Sequence, residues 1–560
     1  MVMTMDPQSQ ASPALQQFHA GEIDQALAAA LPLVDQPGLG GEMAHLAGAC
    51  LHQLGRGEEG VPYLRRAIAV DPANASYFNT LGVVLRKLKR TDQAVRSYDC
   101  VIALDPNFAD AYYNCGNALN ELKRTEEAVQ RFQGCIRLNP KHNSAHHNLA
   151  NAFRDLKEID QALHHYAISD QCEHKNPDMH CNWGLAWQLK ERWDKAIDSF
   201  ETAIQQKSDH GPSHINLGGA LAVQERFDEA CVALRKGVQI DDTCNDAKFN
   251  LGLTLLTIGQ FEEGWQFYDT RLRLPDKVRV PLPHPIWEGD LAIDGPLLVW
   301  SEQGYGDNIQ FSRYLPILME MGLQVTFSTR KPLIELFRQC LKPACPAIIE
   351  HKPSELQAFR HHVPLLTLPR ILRTSLKTVP MMPGYLKAPA SIPKRLRVHR
   401  QPFALQIGLV WASGVDNKDM YADKSMQLDQ LMPVFDAWRQ ERLVVIHSLQ
   451  VGPDAEQLKP WRDQRGVVDW GEKLDDFLDT AQVISQLDLV ITVDTAVAHV
   501  AGGLDKPTWL LLQHNADFRW LRGRSDSPWY PCMSLIRQNK LGNWPSAVSQ
   551  LQERLTLLLG

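Results

Sequence analysis

No run in the 560-residue chain approaches the ~18 uninterrupted apolar residues that a membrane-spanning helix needs, so no transmembrane segment is expected. A long basic run is also missing, and the formal net charge is −7, which argues against nucleic acid as the main partner. A local basic pocket for a phosphate remains compatible with that balance. The eleven cysteines scatter without a CxxC pair. Cys340 and Cys345 come nearest, and the further ligands of a metal site are missing, so the expectation is no metal and reduced thiols in a cytoplasm. Met1 to Gln10 lacks both a cationic region and an apolar core, and no signal peptide is expected. The hydrophobic fraction of 44% is ordinary for a folded soluble chain, and the length implies three or four domains at ~150 residues each.

A small residue returns at intervals of 34, at Ala26, Gly60, Ala94, Ala128, Ala162, Ala196, Ala230 and Gly264. Twelve positions before each of the last seven sits another: Gly48, Gly82, Gly116, Ala150, Gly184, Gly218 and Gly252. Small residues at two fixed places let two helices cross closely. The unit from Asp110 to Pro140 predicts helices over 111–121 and 125–138 with Lys123-Arg124 at the turn, and Pro140 stops the second helix. Pro72, Pro106 and Pro140 keep the step, whereas His174 stands where the next proline is expected. A 34-residue helix-turn-helix period with this pattern resembles the tetratricopeptide repeat. About eight such units over residues 1–275 should stack into a right-handed superhelix, because no unit buries its apolar stripe alone.

A second ladder keeps the same step: Asn114, Asn148, Asn182, Asn216 and Asn250, with Thr80 at the equivalent earlier place. In tetratricopeptide repeats this place looks into the concave groove, where a carboxamide suits pairing to an extended peptide backbone. The other reading is that these asparagines only complete local hydrogen bonds.

Beyond Gly264 the period stops and about 290 residues of different texture follow. Pro281, Pro283 and Pro285 predict an extended linker. Strands are expected at 297–300 and 325–328, with helices at 308–321 and 332–341. The proline-rich stretch 380–402 then separates a second lobe, with strands at 406–411, 443–448, 489–493 and 508–512 and helices at 428–438, 477–485 and after Thr495. This alternation predicts two α/β lobes with parallel sheets, over 276–400 and 401–560, and a ligand cleft at the carboxyl ends of the strands.

Three segments fall at such ends. Thr495 is an expected N-cap where an apolar strand meets a helix, so the free amides at Ala496 suit a diphosphate, with His499 one turn on. Asp494 would repel a phosphate and is expected to hold amides or a ribose; the alternative is a capped helix with a buried histidine. Gly304-Tyr305-Gly306-Asp307 allows close approach of a ligand, and Asp307 is either a base for an attacking hydroxyl or an ordinary helix cap. The loop after Trp411 carries Asp416, Asn417, Lys418, Asp419 and Lys424; a lysine there is a surface charge or the cation that neutralises a leaving diphosphate. Arg519, Trp520, Arg522, Trp529 and Tyr530 form a late cluster that shapes the pocket or packs helix on strand.

Glu302 to Asp307, Gly408 to Ala412 and Asp488 to Trp509 together resemble the glycosyltransferases of the heptosyltransferase type. With the repeats in front, the chain resembles bacterial tetratricopeptide-repeat glycosyltransferases, and its organisation is similar to that of the protein O-linked N-acetylglucosamine transferases. The resemblance implies the two-lobed GT-B fold and a nucleotide-sugar donor used as substrate. It also implies inversion at the anomeric centre without a metal or other cofactor. It assigns Asp307 as base, Lys424 to the donor phosphate, and Asp494, Thr495, Ala496 and His499, with Gly304, Gly306 and Trp411, to the donor site. The helix departs from the pattern, with Ala496-Val497 where heptosyltransferases favour glycine, and relatives often carry arginine where Lys424 stands. The expected partner is a protein or peptide in the repeat groove; the alternative is a non-catalytic scaffold with a degenerate transferase region, and a glycan acceptor is a third possibility.

Overall fold

The computed structural model describes residues 7–172, 175–274, 282–341, 346–414, 422–441 and 443–559. Pro281, His174, Cys345 and the loop residues Asp416, Asn417, Lys418 and Asp419 lie outside them. The chain divides into two compact units, Met1–Gln224 and Glu225–Gly560.

The first unit is a succession of antiparallel helix pairs, among them Ala75–Lys87 with Thr91–Leu104 and Ala109–Glu121 with Thr125–Leu138. The expected pair at 111–121 and 125–138 is present, its first helix starting two residues earlier. The glycines have a specific steric cause. A Cβ on Gly82 would come within 2.6 Å of the Tyr98 ring, and one on Gly116 within 2.6 Å of the Phe132 ring. Those rings belong to a third ladder in the same register, Leu64, Tyr98, Phe132, Tyr166, Phe200, Leu234 and Tyr268, all buried. At Gly48, Gly82, Gly116 and Gly184 the large side chain of the second helix thus fills the space that the first helix leaves empty.

The turn between paired helices needs one left-handed residue, and it recurs at Gly21, Gly55, Lys89, Lys123, Lys157, Glu191, Glu225 and Gly259. Five of these are not glycine and adopt φ between 55° and 63°. An ordinary residue pays a local steric penalty there, so the turn is imposed by packing of the flanking helices.

The second unit opens with helices Phe227–Ile240, Asn245–Thr257 and Phe261–Tyr268 and continues into two parallel sheets. The first sheet contains β1 (Leu297–Trp300), β2 (Val325–Thr329), β3 (Ala347–Glu350) and β4 (His361–Pro364), in the order β3-β2-β1-β4. The second contains β5 (Leu405–Val410), β6 (Val444–Ser448), β7 (Val467–Asp469), β8 (Leu489–Val493), β9 (Thr508–Leu512) and β10 (Met533–Arg537). Its order, β10-β9-β8-β5-β6-β7, is that of a doubly wound sheet, and every pairing is parallel. The architecture is therefore an α-solenoid followed by an α/β region with two parallel sheets.

Two details differ from expectation. The helix expected over 308–321 is two, Tyr305–Phe311 and Tyr314–Glu320. At the junction Ser312 Oγ donates to the Ile309 carbonyl at 2.8 Å and Arg313 Nε to the Gln310 carbonyl at 2.8 Å, and Pro316 supplies no amide to bridge the break. The 380–402 stretch is not a free spacer: Tyr385 and Leu386 are buried, and Leu386 N donates to the Gly503 carbonyl at 2.9 Å while Lys387 N donates to the Cys340 carbonyl at 2.7 Å.

The last helix pair shares the core of the α/β region. Trp265 meets Phe311 edge-on at 6.0 Å and Phe518 at 5.7 Å, and Phe261 stacks on Trp529 at 5.9 Å.

Gly116→Leu is expected to destabilise the first unit by about 1–3 kcal/mol through overpacking against Phe132. Adding Phe132→Ala should recover part of that loss, although Phe132→Ala alone costs about 3–5 kcal/mol. Urea unfolding of the three variants checks this, and additive losses would sink the fit between the two side chains.

Candidate functional site

In doubly wound sheets ligands sit at the carboxyl ends of strands where the strand order reverses. In the second sheet that point lies between β5 and β8, whose ends lead into Trp411–Lys424 and Asp494–Thr495. In the first it lies between β1 and β4, and β1 leads into Gly304–Asp307. The two points face each other. A Cβ on Gly306 would lie 2.7 Å from His499 Cδ2 and 3.7 Å from Ala496 Cα, so only glycine lets the helices Tyr305–Phe311 and Ala496–Gly503 meet so closely.

Asp307 sits in the first turn of its helix, and its Oδ2 accepts from Gly304 N at 2.8 Å. The capping role is thus present. Its Oδ1 is paired with Arg519 Nη2 from the second lobe. Arg519 also binds Asp517 through Nη1, and its Nε is buried with no partner among the described residues. Burial pulls the Arg519 guanidinium down, but Asp307 and Asp517 hold it above its ordinary value.

Lys424 lies 2.7 Å from Asp494 Oδ2, both largely buried. Desolvation opposes both charges, yet Asp494 and Asp517 keep the Lys424 ammonium above its usual range while Lys424 keeps Asp494 below its own. Asp494 therefore holds a cation rather than amides. Thr495 occupies the N-cap position of Ala496–Gly503, but its side chain makes no capping bond and lies 3.3 Å from Thr492 Oγ1. The first amides of that helix are left without a side-chain acceptor.

His499 does not stand in an open mouth. It is 4% exposed, stacks on Trp520 at 5.3 Å and bonds Tyr530 Oη through Nδ1 at 2.9 Å. Burial pushes its pKa down to about 3, so the imidazole is neutral at ordinary pH. The Trp411 ring is fully buried in the second lobe's core beside Ile407 and Leu428, and its carbonyl accepts from Met426 N at 2.9 Å. That backbone is pinned by Gln450, whose Oε1 accepts from Trp411 N at 3.2 Å and Ala412 N at 3.0 Å. Nothing in the spacing of the sequence marks Gln450, because it reaches the loop from the neighbouring strand end.

Other supports escape sequence reasoning for the same reason. Leu521 holds φ 47° and ψ −173°, a conformation that costs a bulky residue about 1–3 kcal/mol, between Trp520 and Arg522. Its carbonyl accepts from Arg537 Nη2 at 2.8 Å. Arg522 pairs with Glu225 at 3.2 Å, and Arg313 is fully buried over the Tyr530 ring at 4.5 Å. The late cation and aromatic cluster thus combines packing with charge placed beside the strand ends.

The asparagine ladder is wired between repeats. In the first unit Asn148 Nδ2 donates to Asn117 Oδ1 at 2.7 Å and to Tyr113 Oη at 3.4 Å. Asn182 accepts from Arg154 at 3.0 Å and meets His147 Nε2 at 3.3 Å, and Asn216 donates to Cys181 Sγ at 3.4 Å. Thr80 meets His45 at 2.7 Å in the same way. Asn114 and Asn250 make no such side-chain bond among the described residues. All five asparagines are half-buried.

Tetratricopeptide-repeat family models match residues 84–123 and 109–142. Protein FlbA of Caulobacter vibrioides is 24% identical over 325 residues, 53% of this chain and 53% of FlbA. The chain thus spans about half the length of that curated relative. Among solved structures, YrrB, described as a TPR protein with an unusual peptide-binding site, is 21% identical, covering 33% of this chain and 95% of its own with a TM-score of 0.30. Pseudomonas aeruginosa pilF is 21% identical, with coverages of 37% and 95% and a TM-score of 0.34. The C-terminal part of a TPR repeat-containing protein from Cytophaga hutchinsonii is 15% identical, with coverages of 43% and 99% and a TM-score of 0.38. The chain carries tetratricopeptide repeats in its N-terminal half, a class of repeat that binds proteins and peptides. Among the described residues no helix is long and apolar enough to cross a membrane.

His447 and His499 are both buried neutral, with pKa values pushed down to about 4 and about 3. An unfolded histidine titrates near 6.5, so the unfolded chain binds more protons between those values and ~6.5. The second unit should therefore hold its full histidine-linked stability above pH ~6.5 and lose it as the pH falls towards 4. Thermal unfolding across pH 4–7 reads this slope, and His447→Gln with His499→Gln should flatten it; an unchanged slope would contradict the assignment.

Proposed function

We propose that the α/β region is a glycosyltransferase that moves a sugar from a nucleotide-sugar donor to a hydroxyl acceptor, inverting the anomeric centre, and that the repeats recruit a protein acceptor or partner. The observation that carries this reading is the convergence of two strand-order reversals. They bring Asp307 and Gly306 against the start of the helix that follows Asp494-Thr495. In that reading the donor diphosphate lies at the amides of Ala496 and beside Lys424. The acceptor hydroxyl lies at Asp307, whose carboxylate takes the proton as the oxygen attacks. General-base help of this kind contributes about 10²–10⁴-fold. His499, neutral and held by Tyr530 and Trp520, shapes the wall of the donor site. Metal independence, and with it the absence of any cofactor, comes from the resemblance alone.

A second reading, a repeat scaffold with a degenerate transferase region, is favoured by one observation: Asp307 and Lys424 are each already engaged in an internal ion pair. A thermal-shift panel of nucleoside diphosphates and nucleotide sugars separates the two. Ligand at ~100 times its dissociation constant should add about 2.7 kcal/mol to the stability of the unit that binds it, and Lys424→Ala should reduce that gain. Asp307→Ala should lower turnover about 10²–10⁴-fold without weakening nucleotide binding. No shift with any nucleotide would leave the scaffold.

For the repeats, replacing Asn148, Asn182 and Asn216 together with alanine should weaken capture of a protein partner about tenfold or more. Each amide also bridges two repeats, so a stability loss of about 1 kcal/mol per site is expected in parallel. Pull-downs on variants confirmed folded by circular dichroism read the first effect. Unchanged capture would assign the ladder to repeat packing alone.

A further inference from the structure

Among the described residues of the candidate site, Arg519 is the one whose ion pairs join the two lobes and whose Nε is left without a partner. A guanidinium grips an oxyanion with two parallel bonds from Nε and Nη2 along one edge. Here Nη2 is on Asp307, Nη1 is on Asp517, and Nε is buried without a partner among the described residues. Asp517 and Arg519 both act electrostatically on Lys424, which places this fork beside the donor-side cation.

The charges around this point do not balance for an anionic ligand. Lys424 and Arg519 face Asp307, Asp494 and Asp517, so a diphosphate that enters must take a cation away from a carboxylate. Lys424 and Asp494 belong to one lobe and are both buried. The Asp307–Arg519 pair crosses between lobes, and Asp307 keeps a second, local bond to Gly304 N if the guanidinium leaves.

We propose that Arg519 has two positions: on Asp307 in the empty site, and on the donor diphosphate when a nucleotide is bound. The inference rests on the glycosyltransferase reading and adds a catalytic cation and an order of events to it. With the donor in place, Asp307 Oδ1 loses its cation and receives the acceptor proton. The acceptor oxygen then bonds to the anomeric carbon as the carbon–oxygen bond to the diphosphate breaks. The nucleoside diphosphate departs with the electron pair, held by Arg519 and Lys424. An acceptor arriving first meets a base that is still occupied, so donor binds before acceptor.

A double-mutant cycle on the full-length protein tests this by titration calorimetry with ADP, GDP, UDP and CDP. Asp307→Asn removes the competitor for Arg519 and should tighten the nucleoside diphosphate that binds by about tenfold. In an Arg519→Met background the same Asp307→Asn change should have no effect. Arg519→Lys, which keeps the charge and lacks the fork, is the second background, and the tightening should fall below about threefold there. Thermal unfolding of each variant verifies that it is folded. Equal tightening in all backgrounds would be a through-space charge effect and would overturn the proposal, as would no tightening with Arg519 intact. If the unmodified protein binds none of the four diphosphates, the glycosyltransferase reading falls with it. If it binds one and the cycle is flat, only the two-position role of Arg519 falls.

Discussion

The buried pair between Arg271 and Glu302 is the contact on which the first lobe's loop depends. Arg271 is fully buried, and its Nη2 and Nε reach the two Glu302 oxygens at 2.6 and 3.0 Å. Glu302 Oε1 also accepts from Leu366 N at 3.3 Å, and Thr367 Oγ1 accepts from Arg271 at 3.0 Å. Removing Arg271 would leave the Glu302 carboxylate uncompensated in the core, a loss of about 3–5 kcal/mol, whereas without Glu302 the guanidinium would keep its pair with Asp269. The pair stands immediately before Gln303 and Gly304, so the glycine loop is held from the segment that follows the last repeat. Tyr268, the final member of the buried large-residue ladder, adds a bond to Gln303 Nε2 at 3.0 Å, and Gln303 itself takes φ 56°. The repeat period therefore ends inside the α/β region's framework.

Charge in the site is arranged in pairs that join loops from different strands. Asp307 with Arg519, and Asp494 with Lys424, each link two segments at the carboxyl ends of the sheets. Buried pairs of this kind contribute little net stability and instead specify geometry, since either partner alone is costly. The strained Leu521 lies between Trp520 and Arg522, and its carbonyl is held by Arg537 Nη2. A polyanionic ligand would find its cations already positioned and its competition already present.

The 34-residue step and its small residues were readable because a helix crossing tolerates nothing larger than a methyl group at the contact, and the same constraint recurs along the repeats. Fully apolar strands such as Leu489–Val493 were equally plain, since a parallel strand buried on both faces has no polar position. Strands β3, β4, β7 and β10, short segments at the sheet edges, went unread, as did the final helix Trp544–Leu559. The helix break at Ser312-Arg313 rests on side-chain bonds to the preceding turn, which periodicity does not report, together with the missing amide of Pro316.

The sequence by itself determined the repeat architecture, the alternation that makes two parallel sheets, and the positions where loops leave the strand ends. Only the tertiary structure decided what those loops hold. It turned Trp411 into core, gave His499 to Tyr530 and Trp520, and set Arg519 on Asp307 across 212 positions of chain. Periodicity reports which face of an element is buried, because burial repeats with the element's own geometry. Pairing between charges depends on which strand ends become neighbours, and the strand order that makes them so is a property of the assembled sheets.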